Sequence, residues 1–210
     1  RLRELAQGGA LDTSLRVLLA KCLFYVAYNR NAALDHEGSL AAYAALIADP
    51  VLSRSTDSRI LAYISHAKFN RALMLDRLHR HREAQAAFRD AADTHVDEEL
   101  RRWAEYGAAR MAARQHPPRA QGRLLIRFAR RHAEDPEYAS LVVSALIEAA
   151  DVFREGGFHE HEERALQTLA ARPNLGPERQ LVERVITGRA RGHSLTAHSV
   201  QVWGAPALAE

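Results

Sequence analysis

The feature that most constrains the fold of this chain is a recurring spacing of small and aromatic residues. Intervals of 12, 4 and 3 positions separate four central residues: Ala72, Ala84, Phe88 and Ala91. The same intervals separate four upstream residues: Ala27, Ser39, Tyr43 and Leu46. Self-similarity of this kind is the signature of repeated supersecondary units. The sequence therefore predicts paired helices that approach closely around one bulky side chain.

Two further copies follow downstream and are less complete. Ala108, Ala120 and Leu124 repeat the intervals of 12 and 4, and a weaker copy follows them: Ala149, His161 and Ala165. Apolar groups on more than one side of each helical pair cannot all be buried by one hairpin. Stacking of neighbouring pairs solves this problem. A single four-helix bundle is the alternative, but it would need long helices with sustained heptads.

Composition and turn signals favour an all-α protein. Alanine, leucine, arginine and glutamate dominate, and all are good helix formers. Breaks occur at Asp49-Pro50, His116-Pro117-Pro118, Asp135-Pro136 and Gly156-Gly157, because proline and glycine interrupt helices. We expect roughly nine to eleven helices joined by short turns, with a last helix over Glu178–Arg189.

The central unit resembles the tetratricopeptide repeat. Ala72 stands where the family usually has glycine, Leu78 precedes the turn, and Glu83-Ala84, Phe88 and Ala91 complete the second helix of the motif. The resemblance covers residues 15 to 172. It implies a right-handed α-α superhelix of about four hairpins with a C-terminal capping helix. We expect this solenoid domain to span residues 1–192, with Leu2–Ala6 as the end of a truncated helix that precedes the first pair. Residues 193–210 would form a tail that docks or leads to a missing region.

In that family the first helices of the repeats line the concave side, where an extended peptide or a partner helix binds. Transfer of the inward positions gives nine candidate partner-binding residues: Phe24, Tyr28, Asn31, His66, Phe69, Asn70, Asp76, Arg102 and Tyr106. A core role is the simpler interpretation for Phe69. Tyr28 and Asn70 are balanced between core and contact.

Three functions are compatible with the sequence. The first is a scaffold that binds a protein or peptide partner on the concave face. The second is a peptide-sensing domain of a larger bacterial transcriptional or signalling regulator. The third, and least favoured, is nucleic-acid binding by an arginine stripe made of Arg119, Arg123, Arg127, Arg130 and Arg131, for which a solvated face is the simpler interpretation. Self-association could accompany any of them.

Catalytic and metal chemistry is not indicated. His159 and His161 lie two positions apart and would diverge on a helix, unlike a metal-binding His-Glu-x-x-His motif. We expect no enzyme activity, no cofactor and no metal site. Cys22, the only cysteine, is interpreted as a core residue. A single cysteine fits a reducing cytoplasm, and no apolar run is long enough for a membrane helix.

Overall fold

The structure is a computed structural model that describes residues 12–94, 97–172 and 179–190, without the side chains of residues 181, 189 and 190. The predicted tail at 193–210 and the predicted helix end at Leu2–Ala6 lie outside the described residues. Two compact units divide the chain between Ala108 and Ala109, and each is considered by itself.

All regular structure in the described residues is helical, which confirms the all-α prediction. A short 3-10 turn at Pro136–Tyr138 accompanies nine α-helices: α1 Thr13–Ala32, α2 His36–Ile47, α3 Ser58–Arg77, α4 His81–Ala92, α5 Glu98–Arg114, α6 Pro118–Arg131, α7 Ala139–Glu155, α8 His159–Ala170 and α9 Arg179–Ala190. No described helix is both long and apolar enough to cross a membrane. The right-handed superhelix stays a prediction.

Helix starts follow from side-chain caps. Asp12, Asp35 and Asp57 precede the first three helices, and a carboxylate oxygen of each accepts a hydrogen bond from a backbone N–H in the first turn. The Arg59 side chain also donates to Asp57 and lowers the pKa of that carboxyl to about 2. Pro118 begins α6, where its missing N–H costs nothing.

Three helical pairs are joined by the same turn. The first helix of each pair is followed by a residue with positive φ: Leu34 at 62°, His79 at 58° and Gly157 at 75°. The next residue then donates its N–H to the carbonyl five positions earlier: Asp35 to Arg30, Arg80 to Leu75, and Phe158 to Phe153. This is the Schellman arrangement, which satisfies free carbonyls at a helix end. Its recurrence before three 12-residue helices is a repeat in the backbone itself.

In the first unit, α1 packs on α2 and α3, α2 packs on α3, and α3 packs on α4. The predicted repeat positions are buried in both pairs: Ala27, Ser39, Tyr43, Leu46, Ala72, Ala84, Phe88 and Ala91 are each at most 2% exposed. Ser39 is small enough for close approach, and its hydroxyl donates to the carbonyl of Ala27 at 2.8 Å. The predicted register of these two pairs is confirmed.

Phe88 is the central ring of the first unit. It lies 5.6 Å from the Phe69 ring in an edge-to-face arrangement, which is the geometry that aromatic pairs prefer. Its other side faces Gly107 of α5, where an added Cβ would lie 2.7 Å from the ring. The absence of a side chain at Gly107 therefore allows α4 and α5 to approach.

In the second unit, α7 packs against α6 and α8, and α9 packs on α8. Almost every residue of α7 between Leu141 and Phe153 is buried. Gly122 of α6 faces the Phe153 ring so closely that an added Cβ would lie 2.5 Å from it. Val182 and Val185 of α9 are buried, and the predicted last helix is confirmed within one residue at each end.

The register predicted for the third pair was wrong. Ala120 is exposed, and Ala108 and Leu124 are half-buried. The buried face of α6 consists instead of four other residues: Gly122, Leu125, Phe128 and Ala129. This orientation buries two large apolar side chains and leaves the arginines in water, whereas burial of unpaired guanidinium groups would be costly.

A buried carboxylate joins α5 to α7 in the second unit. Glu148 is 8% exposed. Its two oxygens accept from Nε of Arg110 at 2.8 and 2.9 Å, and Arg114 lies 3.6 Å away. A buried charge is tolerated only when it is paired, so this contact fixes the orientation of α5 residues 109–114 on α7.

The shared turn yields a test of backbone strain. An added Cβ at Gly157 would have no neighbour within 4 Å, so Gly157→Ala should cause no clash. It should lower the unfolding free energy by about 1–2 kcal/mol, because alanine is strained in the left-handed conformation. Leu34→Gly relieves the same strain and should stabilise by up to about 1 kcal/mol. Urea unfolding measures both changes.

Leu34→Ala is the matched control, because the Leu34 side chain is 77% exposed and the positive φ is retained. It should change the unfolding free energy by less than about 0.5 kcal/mol. A neutral Gly157→Ala together with a destabilising Leu34→Gly would contradict the assignment of strain to this turn.

Candidate partner-binding surfaces

An aromatic cluster joins α1, α2 and α3 at the position of the predicted groove. The Phe24 ring lies 5.7 Å from the rings of Tyr43 and Tyr63 and 6.5 Å from the His66 ring. Phe24 and His66, which the sequence assigned to one surface, do meet. They are only 6% and 5% exposed, so the cluster is packed core.

Five of the nine predicted partner-binding side chains are buried, which corrects the prediction of an open groove at those positions: Phe24, His66, Phe69, Asn70 and Tyr106. The reason is the close approach of the helices. Ala67 and Ala72 are fully buried on α3, and small residues of this kind let neighbouring side chains close over the space between helices.

Asn70 has a structural partner. Its side-chain amide donates to the phenolic oxygen of Tyr43 at 3.2 Å, across α3 and α2. Burial raises the pKa of Tyr43 to about 12, so the hydroxyl stays neutral. A buried amide needs such a bond, and the pair accounts for an asparagine that the sequence had assigned in part to a ligand.

The remaining four predicted residues are at least partly accessible. The guanidinium of Arg77 donates to the side-chain oxygen of Asn31. Asp76 lies 3.5 Å from Nδ1 of His81, and Arg102 is half-buried on α5. Tyr28 alone among the nine has a largely exposed side chain, at 51%.

Sequence reasoning missed the largest concentration of exposed apolar side chains in the described residues. The well-exposed large hydrophobic residues all lie on α1 or in the turn that follows it: Leu15, Leu18, Tyr25, Val26, Tyr28 and Leu34. The five on the helix are called the α1 face below. At 100° per residue most of them lie opposite the buried side of α1, which contains Leu19, Ala20, Phe24 and Ala27.

The missed signal was present in the sequence. Leu15, Leu18, Cys22 and Tyr25 follow one another at intervals of 3, 4 and 3, which is a helical stripe. Cys22 is exposed on this stripe, so its interpretation as core was wrong. A helix that is apolar on two opposite sides is typical of one that is covered on both.

The charge of α1 has one sign. The helix contains Arg16, Lys21 and Arg30 and no acidic residue. Lys21 and Arg30 are exposed, and the Lys21 ammonium lies 6.0 Å from the centre of the Tyr25 ring. The α1 face is thus an apolar stripe with basic neighbours.

A second surface lies on α6. All five residues of the predicted arginine stripe are exposed: Arg119, Arg123, Arg127, Arg130 and Arg131. They are called the arginine face below. The Arg119 guanidinium lies 5.9 Å from the centre of the Phe158 ring, which holds that end of the face by a cation–π contact.

Comparisons of this chain with protein-family models, curated proteins and solved structures found no match. No group of three His, Cys, Asp or Glu side chains in the described ranges is placed to hold a metal ion. The two exposed surfaces are therefore the features from which a function can be inferred.

The buried imidazole of His66 predicts a pH dependence of stability. Burial lowers its pKa below 6.5, and the charge of Asp97 only partly opposes this. Below about pH 6.5 the unfolded chain then binds a proton that the folded protein does not, so stability falls as the pH falls. The unfolding free energy should fall by at most about 1.4 kcal/mol per pH unit through His66.

Urea unfolding between pH 7.5 and 5 measures this loss. His66→Gln should reduce the slope, whereas His116→Gln should leave it unchanged because His116 is exposed in the turn before α6. An equal slope in both variants would show that His66 is not the group responsible.

Proposed function

We propose that the chain is a protein-interaction module of tetratricopeptide-like hairpins, and that it binds one helix of a partner protein on the α1 face. The observation that carries this proposal is the confinement of well-exposed large hydrophobic side chains, among the described residues, to α1 and its turn. Contiguous exposed apolar surface on a soluble domain marks an interaction site.

The shape of the α1 face favours a helix as the partner. From Leu15 to Tyr28 it extends about 20 Å along one helix, at 1.5 Å per residue. An apolar surface of this length along one helix matches the apolar side of an amphipathic helix, whose anchors recur at intervals of 3 and 4. Tyr25 and Tyr28, whose rings lie 6.4 Å apart, supply aromatic anchors of the kind enriched in interface hot spots.

Charge specifies the partner further. The α1 helix contains three basic residues and no acidic one. Complementary charges at the rim of an interface speed association and exclude wrong partners. The expected partner helix therefore has apolar residues along one side and acidic residues beside them.

The preorganisation of α1 supports a rigid docking surface. Its inner side is held by Phe24, which contacts rings from α2 and α3, and its start is capped by Asp12. A surface that is ordered before binding loses less conformational entropy on association. Binding should therefore leave the helicity of the module unchanged.

A photochemical crosslink identifies the partner segment. Tyr25 is replaced by p-benzoylphenylalanine in the cells of origin, and the crosslinked peptide is sequenced. The expected product is a segment of another protein with apolar residues at helical spacing and flanking acidic residues. A crosslink to a second copy of this chain, or to segments without that pattern, would contradict the proposal.

Affinity for a synthetic peptide of that segment then tests the face itself. Leu18→Ser combined with Val26→Ser should weaken binding at least about tenfold, since each removes an apolar contact worth on the order of 1 kcal/mol. Leu34→Ser is the matched control, because Leu34 is exposed and apolar but lies beyond the helix. Equal loss in the control, or no loss in the double variant, would reject the α1 face.

A further inference from the structure

The arginine face lies on a helix that contains no acidic residue. The helix Pro118–Arg131 contains five arginines and no aspartate or glutamate. The opposite side of the helix is buried through Leu125 and Phe128, so the orientation of the helix directs the arginines into solvent. No carboxylate in the described ranges forms an ion pair with any of the five.

Three arginines outside α6 are paired with a glutamate close by in the sequence. Arg80 lies 2.7 Å from Glu83, Arg101 lies 2.7 Å from Glu98, and Arg164 lies 3.6 Å from Glu160. Such pairs at intervals of 3 and 4 stabilise a helix slightly and neutralise the paired charges. In each pair the sequence supplies a glutamate three or four positions from the arginine, whereas α6 contains no acidic residue.

Helix stability does not explain the face. Like charges four positions apart, such as Arg119 with Arg123 and Arg123 with Arg127, destabilise a helix by about 0.2–0.5 kcal/mol per pair. Arg119 also lies in the first turn, where the helix dipole disfavours a cation. An anion bound along the face would relieve both effects.

The size of the face indicates a polyanion. Arg119 and Arg131 are separated by about 18 Å along the helix, and the arginines recur about once per turn between them. A small anion could contact one or two of them. A chain of regularly spaced negative groups could contact all five.

The surroundings favour phosphates over a protein surface. Protein interfaces have an apolar centre within a charged rim, but no large hydrophobic side chain of the described second unit is well exposed. Contacts to a nucleic-acid backbone need no such centre. The planar guanidinium also donates two parallel hydrogen bonds to phosphate.

We infer that the arginine face binds the sugar-phosphate backbone of a nucleic acid without reading its sequence. This activity is independent of the α1 face, and either surface can be removed without the other. Binding by five phosphate contacts predicts a slope of log affinity against log salt of about −4.5 for duplex DNA and about −3.5 for a single strand.

Fluorescence anisotropy tests this with two probes, a 20-base-pair duplex DNA of mixed sequence and a 20-nucleotide RNA. Affinity for the duplex should fall roughly 500-fold between 50 and 200 mM salt if all five arginines make contact. Arg123→Gln combined with Arg127→Gln should reduce the magnitude of the duplex slope by about 1.8. Arg123→Lys with Arg127→Lys should retain most of the slope because it retains the charge.

The matched control is Arg82→Gln combined with Arg89→Gln, which removes two exposed arginines from α4 and should leave the slope unchanged. Circular dichroism verifies that each variant is folded. Absence of binding to both probes at 50 mM salt would overturn the inference. Equal changes of the salt slope in the α6 and α4 variants would also overturn it. Equally tight binding of polyglutamate would overturn it too, because it would indicate an acidic protein as the ligand.

Discussion

The contact between the Phe88 ring and Gly107 determines how closely α4 and α5 approach. Glycine within a helix costs about 1 kcal/mol relative to alanine, but burial of a phenylalanine side chain contributes about 1.5–3 kcal/mol. The ring can occupy this position only because Gly107 has no side chain. Phe153 and Gly122 repeat the arrangement between α7 and α6 in the second unit. In both units a phenylalanine ring fits against a neighbouring helix at a position where that helix has a glycine.

The functional surfaces follow from this packing. Close helical layers bury Phe24, Phe69 and Tyr106, so the predicted groove is filled with its own aromatic side chains. In the described residues the well-exposed large hydrophobic side chains lie on α1 and in its turn, and α1 packs on α2 and α3 through its other side. On α6 the burial of Gly122 and Phe128 directs the arginines outward. Both surfaces are therefore consequences of which helix faces the core occupies.

Much of the fold could be predicted where residue size and helical spacing agree. The 12-4-3 pattern located the first two pairs because its positions combine small residues with one central ring, and in the first pair with the apolar Leu46. It failed in the third pair, since Ala120 has the right size but lies on the outer side of α6. The spacing of apolar residues alone does not show which side of α6 faces the core. The cost of burying its arginines must also be considered. The turn after Leu78 was predicted without the positive φ at His79, and the turn at Leu34 was not predicted, because neither residue is the glycine that normally signals this conformation.

The candidate site was less predictable than the fold. Tyr28, which the sequence left balanced between core and partner contact, is exposed, whereas Phe69 and Asn70 are buried. The exposure of a side chain depends on every neighbouring helix. A repeat pattern indicates which side of a helix a residue lies on, but not how fully the neighbouring helices cover that side. The stripe through Leu15, Leu18, Cys22 and Tyr25 was readable as a helical pattern, but only the packed structure separates it from the buried side of α1.

A double-mutant cycle at Gly107 and Phe88 tests the packing account most directly. With Phe88 present, Gly107→Ala should lower the unfolding free energy by about 1–3 kcal/mol, because the added methyl group overpacks the ring. With Phe88→Leu, the same change should be neutral or should stabilise by up to about 1 kcal/mol, because alanine is the better helix former. A coupling energy of at least about 1 kcal/mol between the two positions is the predicted result. An identical effect of Gly107→Ala in both backgrounds would contradict it.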